Sequence, residues 1–299
     1  MTIAPEGVTT IPASRRFIIL ATCSAATMLY AMAITIANVV LPQMRGALSA
    51  TPDQIAWVIT FNLVATAVMT PVSGWLSNRF GRRNVLLVAC FGFTVASVLC
   101  GLADSLEALV LFRVLQGAFG APLVPVSQTI ILDTFPREQH SMATALWGVG
   151  VVLGPIIGPT FGGAIAEEYS WRWVFFMIVP FGILTLGAIS MFITKRPVRP
   201  PSPPLDWLGF FALAAALASF QFMFDRGQRN SWFDSPETIV ECTIGFLALY
   251  IFIVHISSSP RPFINPRLFL NRNYCLGLAL AFMFGMLNFV PLVLMPSML

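Results

Sequence analysis

Nine stretches of this 299-residue sequence are apolar over the roughly 20 residues that a helix needs to cross a bilayer. No other feature restricts the fold as strongly. Backbone placed in hydrocarbon must satisfy its own hydrogen bonds, and a chain of long apolar runs does so as helices. The runs lie near 17–40, 54–76, 85–103, 106–132, 141–166, 173–194, 207–224, 238–256 and 274–296. Composition agrees, with 57% hydrophobic and 10% charged residues, where a soluble domain carries about 25% charged. The predicted class is therefore an all-α polytopic membrane protein. A signal peptide is the competing reading of the first run, because Ser14-Arg15-Arg16 precedes it and Ala31-Met32-Ala33 offers small residues for cleavage. A spanning helix is preferred.

Orientation follows from the basic residues, since cytoplasmic loops hold the excess of Lys and Arg. With the N-terminus inside, twelve of the 17 fall on the cytoplasmic side: Arg15, Arg16, Arg79, Arg82, Arg83, Arg137, Lys195, Arg196, Arg199, Arg261, Arg267 and Arg272. Arg45, Arg172, Arg226 and Arg229 fall outside, and Arg113 within a span. The expected location is the cell inner membrane, multi-pass, with the N-terminus cytoplasmic and the lipid bilayer as partner. The net charge of +4 reads as a topology signal, and nucleic acid is not an expected partner.

Polar interruptions divide the chain. Residues 1–16 read as a cytoplasmic tail, 17–194 as a six-helix bundle, 195–206 as a proline-rich cytoplasmic linker, 207–256 as a helix pair, and 257–299 as a loop and a ninth helix. A six-helix unit is one half of a common transporter architecture. Catalysis finds no foothold: no phosphate-binding Walker pattern, no Gly-x-Ser-x-Gly elbow and no His-Glu-x-x-His is present. Neither a metal nor another cofactor is expected. Cys23, Cys90, Cys100, Cys242 and Cys275 are scattered through apolar runs without paired spacing and read as packing residues; His140 and His255 lack neighbours at ligand spacing. The chain does not read as an enzyme.

Three stretches carry more than composition. After the second run comes a tight basic turn containing Gly74, Asn78, Arg79, Gly81, Arg82 and Arg83, which alone reads as an ordinary positive-inside loop. The fourth run places Arg113, Gln116, Gly117 and Gly120 on one helical face. A guanidinium at membrane depth costs about 2.5–3.5 kcal/mol on insertion scales, so it should face protein or a wet cavity, unless it snorkels to the outer interface. In the fifth run glycine recurs at every fourth position, as Gly150, Gly154, Gly158 and Gly162, with Pro155 and Pro159 beside it. That spacing admits a close helix neighbour, and the prolines remove ladder hydrogen bonds and favour a bend.

With these stretches in view, the chain resembles the major facilitator superfamily and, within it, the fourteen-span EmrB/QacA type of drug:proton antiporter. The turn from Gly74 to Arg83 is similar to the superfamily's motif between helices two and three. Arg113, Gln116 and Gly117 match its fourth-helix motif, and Gly150, Gly154, Pro155 and Gly158 its antiporter motif. Further similarity lies in Thr35-Ile36-Ala37-Asn38, Trp171-Arg172-Trp173, Leu205-Asp206-Trp207 and Pro266-Arg267-Leu268-Phe269. The resemblance implies a major-facilitator-type N-terminal six-helix bundle plus three further helices. It also implies export of hydrophobic or amphipathic small molecules by alternating access, with a proton gradient as the energy source. A small lipophilic substrate is the expected ligand; a periplasmic membrane-fusion adaptor and a separately encoded second half-transporter are further partners to consider.

Departures from the pattern carry information of their own. Ala33 stands where this branch usually has an acidic residue in the first helix, Asn78 where the loop motif has an acid, and Ile178 where Asn is frequent. The thirteen acids fall in the tail, loops or ends of spans. Fourteen spans of about 20 residues with their loops need well over 400 residues, so a C-terminally truncated chain with an incomplete second bundle is expected. Polar groups costly to face lipid are the candidates for a substrate cavity: Asn38, Asn62, Arg113, Gln116 and Gln128. Met28, Trp57, Phe61 and Trp147 are candidates for its apolar wall.

Overall fold

A computed structural model describes residues 12–194, 204–260 and 262–298, and among them every regular element is a helix. The tail up to residue 11 and linker residues 195–203 lie outside the described residues. The first run forms α1 (Ala13–Val39), followed by the short α2 (Leu41–Ala47). The second forms α3 (Pro52–Met69) and α4 (Val72–Phe80), bent by 53° at Thr70-Pro71. A proline cannot donate to the ladder and clashes with the preceding turn, which accounts for the break. Thr51 and Gln54 close a reciprocal capping box at the start of α3.

The third run is α5 (Arg82–Gly101), and the fourth is α6 (Leu106–Gly120) with α7 (Leu123–Thr134), interrupted at Pro122. Then follow α8 (His140–Glu168), α9 (Trp171–Phe192), α10 (Trp207–Arg226), α11 (Pro236–Ser258) and α12 (Arg272–Met298). Among the described residues seven helical spans are long and apolar enough to cross a membrane, with α6 and α7 counted together, or eight when α3 and α4 also count as one span. The ninth expected span is α12, whose apolar stretch among described side chains covers Arg272–Leu287.

Helix α1 lies inside the six-helix bundle, flanked by α7, α8 and α9, while α5 packs on α6 and α9, and α3 on α6. Cys23, Met32, Ile36, Phe93, Leu109, Phe175 and Ile178 are all buried where these helices meet. Outward-facing residues such as Val88, Phe91, Leu111, Ile183 and Leu184 are exposed. That pattern, apolar inside and out, suits a lipid solvent. The pair α10–α11 packs on itself and reaches the bundle chiefly through α3.

Candidate functional site

The second-to-third-helix turn is built around Gly81, which has φ 84° and joins α4 to α5. A side chain at this φ would be strained, so glycine is required by the backbone itself. Beyond the turn, Arg82 pairs with Asp133 at the end of α7, and Arg83 Nη2 donates to the Ser190 carbonyl of α9 at 2.8 Å. Two arginines thereby tie this end of α5 to two other helices. Gly74, Asn78 and Arg79 are exposed. The partners Asp133 and Ser190 gave no signal in the sequence, because nothing local marks them as facing the turn.

Arg113 is 1% exposed, which rules out snorkelling to the interface. It points into the bundle from the second turn of α6. Its Nε donates to the Val58 carbonyl of α3 at 3.1 Å, and Nη1 reaches the Ala33 carbonyl of α1 at 3.5 Å and the Gln116 Oε1 one turn along. The guanidinium lies 6.0 Å from the ring centroid of Phe175 on α9. Gln116, wholly buried, passes the chain on: its Nε2 donates to Ser97 Oγ of α5 at 2.8 Å. Asn62 Nδ2 donates to the Arg113 carbonyl at 2.8 Å, and one turn further Thr66 Oγ1 donates to the Gly117 carbonyl at 3.2 Å.

This node joins α1, α3, α5 and α6 through one cation and neutral acceptors. Among the described residues no carboxylate lies within ion-pair distance of Arg113. Where the resembled family places an acid, the chain contributes the backbone carbonyl of Ala33. Gly117 completes the geometry, since a Cβ there would strike the backbone of Asn62.

Arg113, Gln116 and Asn62 therefore come together, and two other expected cavity residues do not. Asn38 is exposed near the end of α1, and Gln128 is half-buried on α7, outside these hydrogen bonds. The apolar residues scatter as well: Trp147 Nε1 donates to Thr27 Oγ1 at 3.0 Å, whereas Trp57 and Phe61 face α10. Ser97 and Thr66 were not singled out from sequence, since serine and threonine are common in spans and usually bond their own helix.

The glycines of α8 form its seam with α1. A Cβ on Gly150 would lie 3.0 Å from Ser24 Cβ, on Gly154 2.8 Å from Ala31 Cβ, and on Gly158 2.7 Å from Thr35 Oγ1; Gly162 faces Ile36. Each successive glycine thus meets the next turn of α1. Pro155 and Pro159 sit beside the seam, half-buried, and α8 continues through both as one helix.

Residues 23–299 match the model of the Major Facilitator Superfamily. The chain belongs to that family. Among its relatives in the superfamily, the Multidrug export protein EmrB of Haemophilus influenzae is 38% identical over 276 residues, 91% of this chain and 54% of that protein. The EmrB protein of Escherichia coli strain K12 is 36% identical, and the Fatty acid resistance protein FarB of Neisseria gonorrhoeae 36% over 269 residues. The chain spans about half the length of these curated relatives. Its fold is similar to those of solved transporter structures. A peptide transporter, solved with sulfate, gives a TM-score of 0.61 at 16% identity, covering 86% of this chain and 55% of that one. An inward-facing bacterial homolog of the lysosomal transporter Spinster gives 0.55 at 19% identity, covering 81% and 61%.

Proposed function

We propose that the chain acts in the inner membrane, N-terminus in the cytoplasm, as an exporter of hydrophobic or amphipathic small molecules by alternating access, in the manner of multidrug efflux. The observation that carries this reading is the buried Arg113 node, which links four helices of the bundle in a chain 36–38% identical to multidrug export proteins. A sealed cation held by neutral groups is costly to keep and marks a pathway more often than a packing site. The glycine seam supports the same reading, because it lets α8 lie close against α1 without large side chains between them. Proton coupling, in this reading, belongs to the ancestry of the chain, and a membrane-fusion adaptor is its candidate periplasmic partner.

A second reading is favoured by one observation: Ala33, 2% exposed, stands where a titratable group would face Arg113. On that reading the chain is inactive by itself or depends on a separately encoded half-transporter. Efflux of lipophilic dyes and fatty acids from a pump-deficient host expressing the chain separates the two. Exporter activity should be lost in Arg113→Ala at equal membrane abundance. Identical efflux with and without Arg113, or none from the unaltered chain, would sink the exporter reading.

A further inference from the structure

The turn between α10 and α11 is held against α3 at one end of the helix pair. Along α3, residues Asp53, Trp57, Thr60 and Phe61 recur at helical spacing and share a face; Phe222, Asp225, Arg226 and Arg229 do the same along α10 and its continuation. These two faces meet. Thr60, 1% exposed, donates through Oγ1 to Asp225 Oδ2 at 2.6 Å. Arg229 Nη1 donates to Asp53 Oδ1 at 3.0 Å while its Nη2 lies 3.4 Å from Asp225 Oδ2, so one guanidinium bridges the two helices. Behind the charges, Phe61 and Phe222 pack edge to face at 5.3 Å between centroids, and the Arg226 guanidinium lies 6.0 Å from the Trp57 ring and 5.3 Å from Phe222.

The backbone of the turn is constrained to reach this position. Ser231 and Trp232 both adopt left-handed conformations, with φ 56° and 54°, which a bulky residue such as Trp rarely does. A Cβ on Gly227 would lie 2.7 Å from the Met223 carbonyl and from the Trp232 ring. Strain of this kind persists only where surrounding contacts over-determine it.

We propose that this cluster is a clasp, with Arg229 as its positioning residue, that makes α10 and α11 a mechanical part of the six-helix bundle. The pair then moves with α3 in any rocking of that bundle, and the joint of the chain lies after α11 rather than before α10. The clasp stands on geometry alone and holds whether or not the chain exports.

The test uses the full chain with a protease site inserted in the linker at position 199 and an affinity tag at the N-terminus. After folding in membranes the linker is cut, the membranes are dissolved in mild detergent, and the tagged half is captured. The α10–α12 fragment should be recovered with it from the unaltered sequence. Recovery should fall about threefold in Arg229→Glu, the scale of a partly exposed charge network, and return in the double variant Asp53→Arg, Arg229→Glu. Equal recovery with Arg229→Glu would overturn the proposal. So would loss of the fragment from the unaltered sequence, or a double variant no better than the single one, which would assign the loss to misfolding.

Discussion

At position 113 the identity of the cation matters more than its charge. Arginine presents five donors in a planar fork, and here they serve the Val58 carbonyl of α3, the Ala33 carbonyl of α1 and Gln116 of the same helix. An ammonium on a single stem keeps the charge but cannot reach acceptors spread over three helices. Arg113→Lys is therefore expected to lose about 1–3 kcal/mol, the cost of leaving buried polar groups unsatisfied. It should melt several degrees lower in detergent than the unaltered protein, and equal melting temperatures would mean that the fork is dispensable. Sequence reasoning reached Arg113, Gln116 and Asn62 because polar side chains in an apolar run are conspicuous. Two of the acceptors of Arg113 stayed hidden because they are backbone carbonyls, which every residue has and no sequence pattern marks.

At the scale of the helix, the period of α8 was legible and its partner was not. Glycine at every fourth residue announces a flat face, whereas which helix fills it depends on the tertiary arrangement; the structure supplies α1 in a one-turn register. Gly158→Leu should force Thr35 and Met32 of α1 aside, while Ile157→Leu, at a half-buried neighbour off the seam, conserves volume. The expected result is a clear fall in detergent stability for the first and little change for the second. Comparable stability of both would place Gly158 away from any close contact.

A second contact cluster, invisible in the sequence, ties the start of α10 to the end of α11 and the loop after it. The Asp206 carboxylate, its side chain 11% exposed, accepts from the Gly209 and Phe263 amides, each at 3.0 Å, and from His255 Nε2 at 2.8 Å. Burial pushes its pKa up, but the amide and imidazole donors together outweigh this and hold it below its ordinary 3.8. A carboxyl with a lowered folded value contributes stability that is present above 3.8 and lost as pH falls through the lowered value. The gap in melting temperature between the unaltered chain and Asp206→Asn should accordingly close as the pH falls below 3.8 and through the lowered value. A gap that widens on acidification would contradict the assignment.

For the whole molecule, the all-helical class and the apolar character of the long helices followed directly from the sequence, since hydrocarbon thickness sets the length of a span, while seven or eight of the nine expected spans reach spanning length among the described residues. The docking of α10–α11 on α3 did not follow from the sequence, because it depends on contacts between distant segments, and the breaks at Pro71 and Pro122, though local proline effects, are hidden inside continuous apolar runs. Sidedness rests on the twelve basic residues assigned to one side against four on the other. Single cysteines in a cysteine-free background should react with an impermeant reagent on intact cells at position 168 and stay unreactive at position 79; the reverse pattern would invert the topology.

Energy coupling is a property of the bundle as a whole. Among the described residues every Asp and Glu lies in a loop or within two turns of a helix end, and the position facing Arg113 from α1 is Ala33. Alanine binds no proton, and arginine keeps its charge at physiological pH. Among the described residues the bundle thus holds a fixed cation with no carboxylate partner, so substrate movement through it is expected to run downhill and to be indifferent to a protonophore. Ala33→Asp places a carboxylate within reach of the guanidinium and restores a group whose charge can change. That variant should remain folded when Arg113 is present and be strongly destabilised in an Arg113→Ala background, where a buried charge would lack its partner. Efflux of a lipophilic dye measured in both chains, with and without protonophore, decides the matter. Sensitivity in the unaltered chain that vanishes with Arg113→Ala at equal abundance would show that protons are coupled without an acid on α1, and that Ala33 does not preclude coupling.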